Sequence, residues 1–258
     1  NDRIAKLIAE AHAKDIFPEK VSISYDPFDE KLAEPMMIAK RLTEYMKAQP
    51  PGFGEENELV GMMHFDGSVP ADIFTRTGHA KIHEAFAQYY NKPQENFSTM
   101  EWQHSNPDYG KVIRRGLAGI RADIIESRKN HLGDQEKLNF LAALDMMIRG
   151  IAERAELLAE SCRNAARECT DEKRKKTLLR MAGNCSNVPM NPARNFEEAV
   201  QCVYFCFPFL PDSIGRADQY LLPLYRKGIQ DGSLTREHAK ELLQELYVMI
   251  HAWTPPTS

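Results

Sequence analysis

Leu141, Leu144, Ile148, Ile151, Ala155, Leu158, Cys162, Ala165 and Cys169 follow one another at alternating steps of three and four residues. An α-helix, with 3.6 residues per turn, brings positions spaced in this way onto one face. The pattern predicts a single helix of about ten turns over 134–169, with Asp134 as its N-cap. An apolar stripe of that length needs other helices against it, so the chain is expected to be mainly α, with at most a few short strands.

Other boundaries are written locally. Asn106-Pro107 combines a capping residue with a proline suited to a first helical turn. It opens a helix carrying Val112, Ile113, Leu117, Ile120 and Ile124. Asn195, with Glu198 three residues later, resembles a capping box and starts an apolar helix running to Phe207. Thr170 and Thr235 can cap two further helices, and Gly232 closes the helix before the last. Toward the N-terminus, helices are expected near 2–14, 30–48 and 80–90. A Pro/Gly loop spans 49–54, a short extended segment 58–63, and a loop 67–77. An amphipathic helix over 241–253 leads into Thr254-Pro255-Pro256, where a further element or a partner is expected to continue the structure.

Composition removes several function classes. The chain of 258 residues has 43% hydrophobic and 27% charged residues and a net charge of -4, an ordinary globular balance. No stretch interleaves Lys and Arg with aromatics, so no nucleic-acid surface is expected. The basic run 173–176 follows Asp171 and Glu172 and reads as a solvated helix face. The longest apolar stretch, 199–210, falls short of the roughly 18 residues of a membrane span and contains Gln201 and Pro208. The charged start at Asp2 and Arg3 lacks a signal-peptide core, so a cytoplasmic location is expected.

Few residues announce chemistry by themselves. The five cysteines, Cys162, Cys169, Cys185, Cys202 and Cys206, contain no CxxC and read as reduced, packed thiols. Cys202 and Cys206 have no basic neighbour to lower a thiol pKa, so core packing is preferred over a nucleophile. His79 and His83 share a helix face but lack a third ligand, and no metal is expected there. His104 lies just before a helix N-terminus, where main-chain N–H groups favour ligands. It is either a ligand contact or a histidine that tidies a loop. Arg216 and Asp218, after Gly215, either bind an anion or pair with each other.

A set of motifs then resembles the glycyl radical enzymes. Gly215-Arg216-Ala217-Asp218-Gln219-Tyr220-Leu221, with Pro223 and Tyr225 beyond it, is similar to that family's "GRxDQYLxPxY". Gly232-Ser233-Leu234-Thr235 and the helix from Glu241 are similar to its "G-x-L-T" and "ELLxxLW" elements. Asn195 to Gln201 resembles "TFxEAxQ", and Cys185 to Pro192 its "C…VP" connector. Glu58-Leu59-Val60-Gly61 resembles "ElivG", and His104 to Gly116 resembles "GHxxPDYxxVLxxG", with Gln103 in place of the glycine. On this resemblance 1–258 is a partial domain of the pyruvate formate-lyase type, with weakly matching helices over 1–57 and a motif-bearing helical region over 58–258.

The resemblance implies the N-terminal helical layer of an α/β barrel. It implies an anaerobic radical lyase that cleaves a C–O, C–N or C–C bond in a small organic substrate, dehydratase- or decarboxylase-like rather than pyruvate formate-lyase. The alternative is a non-catalytic subunit or truncated relative that acts by assembly with a partner chain. No catalytic residue is assigned here, because neither the family's thiyl cysteine loop nor its "RVxGY" radical glycine is matched. The chain is accordingly expected to be inactive alone. Substrate binding falls to His104, Leu210, Pro211 and Ser213, and a structural motif to Gly215, Arg216 and Asp218. The implied partners are the remaining C-terminal part of the enzyme, a homo-oligomeric copy, and an iron–sulfur activase that uses S-adenosylmethionine to install the glycyl radical. No cofactor is expected on this chain itself. An imidazole at His104 suits a hydroxyl better than the arginine of pyruvate-handling members, which grips a carboxylate.

Overall fold

The computed structural model describes residues 2–13, 21, 23–61, 107–209 and 213–253. In chain order these form α1 (Asp2–Ala13), a 3-10 turn (Pro27–Lys31), α2 (Glu34–Ala48), α3 (Tyr109–Asn130), α4 (Gln135–Glu168), α5 (Glu172–Asn187) and α6 (Phe196–Cys206). A 3-10 turn (Phe207–Phe209) then leads toward α7 (Ala217–Tyr220), α8 (Leu222–Asp231) and α9 (Arg236–Trp253). No strand occurs among the described residues. The expected helix near 80–90 and the loop over 67–77 lie outside them.

The long helix α4 organises one half of the molecule. Asp134 caps it, accepting the Lys137 amide at 3.1 Å. Ile148, Ala155, Leu158 and Cys162 of the stripe are buried. The C-terminal half packs on Leu178, Met181 and Cys185 of α5, and the N-terminal half on Leu117 and Ile124 of α3. A different side of α4 meets α2. There a Cβ on Gly150 would lie 2.2 Å from Thr43 Cγ2, so the two helices approach too closely for any larger residue. One turn on, the buried Arg154 guanidinium donates to Gln49 O, and to Pro50 O at 2.9 Å. It thereby meets the carbonyl-rich C-terminus of α2, the negative end of that helix dipole. Burial lowers its pKa to about 10.

The helices differ from the sequence reading at several points, and α2 starts at Glu34 rather than near residue 30. Helix α3 is capped by Asp108, whose carboxylate accepts the Lys111 amide at 2.8 Å, rather than by Asn106. Asp171, not Thr170, caps α5 and accepts the Arg174 amide at 2.7 Å. In both cases a carboxylate one or two residues further on complements the helix dipole better than a neutral side chain. Helix α3 is also broken at Gly116, which adopts φ 64° and ψ 169°. The break turns the Leu117 and Ala118 amides onto the carbonyls of Pro189 and Met190, both at 2.9 Å. A Cβ on Gly116 would sit 2.3 Å from Met190 O, so the site requires glycine on two counts.

The second half of the molecule surrounds α6. Ile4 and Leu7 of α1, Tyr109 and Ile113 of α3, most of α6, Ala217 of α7, and Leu242, Leu246 and Met249 of α9 form one apolar cluster. Asn195 caps α6 as expected, accepting the Glu198 amide at 2.9 Å. The Glu198 carboxylate reaches back to the Arg194 amide at 2.7 Å, one residue before the cap. Thr235 accepts the His238 amide at 3.1 Å at the start of α9, and Gly232 ends α8 in the left-handed conformation.

Candidate functional site

Of the four residues expected to contact substrate, His104, Leu210 and Pro211 lie outside the described residues. Ser213 opens the segment 213–216, where its hydroxyl accepts the Gly215 amide at 3.0 Å. Gly215 has φ 59°, which turns the chain into α7. Arg216 then forms a two-pronged pair with Asp218, with Nε to Oδ1 at 2.9 Å and a terminal nitrogen to Oδ2 at 2.8 Å. The carboxylate hydrogen bond raises the Arg216 pKa, and the guanidinium hydrogen bond lowers that of Asp218.

Tyr220 closes this loop. Its hydroxyl donates to Ile214 O at 2.7 Å. Its ring meets that of Tyr109, with centroids 5.9 Å apart and planes at 41°. Where a Cβ on Gly110 would stand, the Tyr220 Cβ is 3.3 Å away. The first turn of α3, five residues beyond His104, is thus packed against the segment that starts at Ser213. Tyr109 itself is 2% exposed, its hydroxyl has no hydrogen-bond partner among the described residues, and burial pushes its phenol well above the ordinary range.

A second concentration of polar groups was not singled out by the sequence reading. The Glu245 carboxylate on α9 is fully buried, yet it accepts Arg3 at 2.7 Å, Asn57 at 3.0 Å and the amides of Glu58 and Leu59, each at 2.9 Å. One step on, the Val60 amide donates to the Gln201 side chain at 3.1 Å, and Gln201 donates back to Val60 O at 2.6 Å. The segment expected to be extended over 58–63 therefore forms no strand in its described part. Side chains of α6 and α9 take the place of a partner strand. Burial raises the Glu245 pKa, opposed by Arg3, Asn57 and the Leu59 amide. A signal for this network was present in sequence, because Gln201 interrupts an otherwise apolar helix and a buried polar group needs partners.

Beside it, ligand atoms of Glu58, His238 and Glu241 lie within 4.8 Å of one another, a spacing compatible with a bound cation. The neighbouring charges answer that need differently. Arg180 pairs with Glu58 and lies 3.2 Å from Glu197, while Arg3 is 3.5 Å from Glu58 and 3.8 Å from Glu241. His238 Nε2 is 2.7 Å from Glu197. Two guanidinium groups thus occupy the positions where a metal's charge would act, and the cluster is an ion-pair lattice joining α1, α5, α6 and α9. His79 and His83 lie outside the described residues.

The thiols are packed rather than poised. Cys162, Cys185 and Cys202 are buried, Cys169 and Cys206 half-buried, and all five are free. Burial pushes Cys162 up to about 12, and Cys185 well above the usual value. Cys202 is likewise raised, first by its hydrogen bond with Cys206 and then by burial. An open groove between α2 and the start of α4, lined by Glu34, Ile38, Lys137 and Phe140 among others, contains none of the residues expected to contact substrate. No helix among the described residues is long and apolar enough to cross a membrane.

Comparison with known proteins places these observations in a family. The model described as pyruvate formate lyase-like matches residues 75–258. The isethionate sulfite-lyase of Bilophila wadsworthia is 35% identical over 164 residues, 58% of this chain and 19% of that protein. The trans-4-hydroxy-L-proline dehydratase of Clostridioides difficile is 31% identical over 160 residues, 56% of this chain and 20% of that protein. Among solved structures, one concerned with 1,2-propanediol dehydration in Roseburia inulinivorans superposes with a TM-score of 0.74 at 24% identity, covering 96% of this chain and 37% of that one. The hydroxyproline dehydratase of Clostridioides difficile gives 0.73 at 21% identity, covering 100% of this chain and 41% of that one. The chain thus spans about a fifth of the length of the curated relatives it matches.

Proposed function

The chain belongs to the pyruvate formate lyase-like family, and on that premise we propose that it is the N-terminal helical portion of a glycyl radical lyase. The complete enzyme cleaves a C–O, C–N or C–C bond in a small organic substrate. The names of the relatives, which include isethionate sulfite-lyases, extend this to elimination of sulfite from a hydroxyalkyl sulfonate. The observation that carries the reading is the 35% identity to such a lyase across more than half the chain, together with the family motifs in their expected order.

In this reading His104, Leu210, Pro211 and Ser213 line one side of the substrate pocket, and His104 orients a substrate oxygen. The contact between Tyr109 and Tyr220 supports it, since it brings together the helix that follows His104 and the loop that follows Pro211. The radical glycine and the thiyl cysteine are contributed outside these 258 residues, and a separate activase using an iron–sulfur cluster and S-adenosylmethionine installs the radical. The enzyme works in the cytoplasm, as a homo-oligomer.

Two measurements test this. In the activated complete enzyme, His104→Ala is expected to lower turnover by on the order of 100-fold, the usual effect of losing an orienting hydrogen bond. Normal turnover would remove His104 from the pocket. The 258-residue chain, treated with activase and S-adenosylmethionine, is expected to show no glycyl radical by electron paramagnetic resonance. A radical signal on it would overturn the assignment of the radical site to another part of the enzyme.

A further inference from the structure

We infer that Tyr220 is a positioning residue for the reaction, a side chain that sets Ser213 relative to the first turn of α3; this rests on the pocket reading above. Tyr220 touches both of the segments concerned. Its hydroxyl donates to Ile214 O at 2.7 Å, one residue from Ser213. Its ring packs on Tyr109 at 5.9 Å, and its Cβ stands against Gly110.

Among the described residues, the other polar bonds of the loop are local. Ser213 binds the Gly215 amide, the Ala217 amide reaches Gly215 O at 3.0 Å, and Arg216 pairs with Asp218. These shape the turn but do not say where it lies on the molecule. Ile214 packs against the apolar cluster around α6 and so sets the depth of the loop. An apolar contact is non-directional, so it leaves the rotation of the Ile214 peptide, and with it the aim of Ser213, to the hydroxyl of Tyr220. The Tyr220 phenol is raised by burial and by nearby Tyr247 and Cys202, so it stays a hydrogen-bond donor throughout the range in which such an enzyme works.

The consequence is kinetic rather than structural. One neutral hydrogen bond contributes modestly to stability, whereas a displacement of about 1 Å in a group that orients substrate can cost on the order of 100-fold in rate. Tyr220→Phe removes only the bond to Ile214 O, and Tyr220→Leu also removes the ring contact with Tyr109.

The test uses the complete enzyme after activation, with glycyl radical content measured by electron paramagnetic resonance for every variant. Tyr220→Phe is expected to retain wild-type radical content and to lower kcat about tenfold with KM changed less than about threefold. Tyr220→Leu is expected to lower kcat by on the order of 100-fold. His104→Ala is measured in parallel. If it turns over normally, the pocket reading fails and the inference with it. If His104→Ala is impaired while Tyr220→Phe matches wild type in kcat and KM, the pocket stands and the role given to Tyr220 is wrong. Loss of turnover in Tyr220→Phe that merely follows loss of radical content or of folded protein also overturns it, because that is a stability effect. Should Tyr220→Leu fail to fold, Tyr220→Phe decides alone.

Discussion

The carboxylate of Glu245 accepts the main-chain amide of Leu59 at 2.9 Å, although the two residues are 186 positions apart. The same carboxylate holds Glu58 N and the Asn57 side chain, and Arg3 on α1 provides its counter-charge at 2.7 Å. One side chain thereby joins α1, α9 and the irregular segment 57–59. Glu245→Ala is expected to cost about 3–5 kcal/mol, because it removes the shortest ion pair of Arg3 and the acceptor of the Asn57 side chain and of the Glu58 and Leu59 amides. Arg3→Met combined with Glu245→Leu should lose less than Glu245→Ala alone. Urea unfolding of the two variants and the wild type checks this, and equal losses would show that Arg3 is not the counter-ion that matters.

Gly116 predicts a second effect. Its backbone at φ 64° and ψ 169°, a region essentially confined to glycine, costs another residue about 1–3 kcal/mol, and the Met190 carbonyl stands 2.3 Å from where a Cβ would be. Gly116→Ala should therefore lower the melting temperature by more than the conformational term alone, which is about 2–12 °C at roughly 2–4 °C per kcal/mol. Gly183→Ala, at a helical glycine with nothing within 4 Å of the added carbon, serves as the contrasting variant and is expected to leave the melting temperature unchanged or slightly raised. Calorimetry of the two distinguishes a required glycine from an incidental one.

The thiols differ in their expected reactivity. Under native conditions iodoacetamide should modify half-buried Cys169 first, and should leave Cys162, Cys185 and Cys202 unmodified until the protein is unfolded. Peptide mass spectrometry against time reads this directly. Modification of Cys202 as fast as Cys169 would restore the nucleophile reading that its burial disfavours.

Acid should act through the lattice around His238. Burial alone would raise the Glu197 carboxyl, but the hydrogen bond from His238 and the charge of Arg180 outweigh it and hold the group below its usual value of 4.5. A carboxyl depressed in the folded state contributes stability above its unfolded pKa and loses it as pH falls through the folded one. Glu245, raised by burial, has the opposite sign, and its contribution is lost as pH rises through its folded value. Unfolding free energies measured from neutral pH down to about 3 should show wild type falling toward Glu197→Gln below about 4.5. A constant gap between the two across that range would mean that Glu197 contributes through packing alone.

Periodicity and capping chemistry determined the helical architecture from the sequence by itself. The nine-position stripe specified α4 to within a residue at each end, and Asn195, Thr235 and Gly232 marked real boundaries, because each acts through bonds made within a turn or two of its own position. The motif residues likewise announced the family, since a run such as 215–221 is read without knowing what it touches. Tertiary structure alone decided the rest. That Gly116 breaks α3 depends on the Pro189 and Met190 carbonyls, more than seventy residues away. That the segment 58–61 finds its hydrogen bonds in Gln201 and Glu245 rather than in a strand depends on where α6 and α9 come to lie. That Tyr220 ties the Ser213 loop to α3 depends on the packing of its ring on Tyr109. Local bonds follow from neighbouring residues, whereas a buried polar group takes whichever partner the folded chain brings within reach.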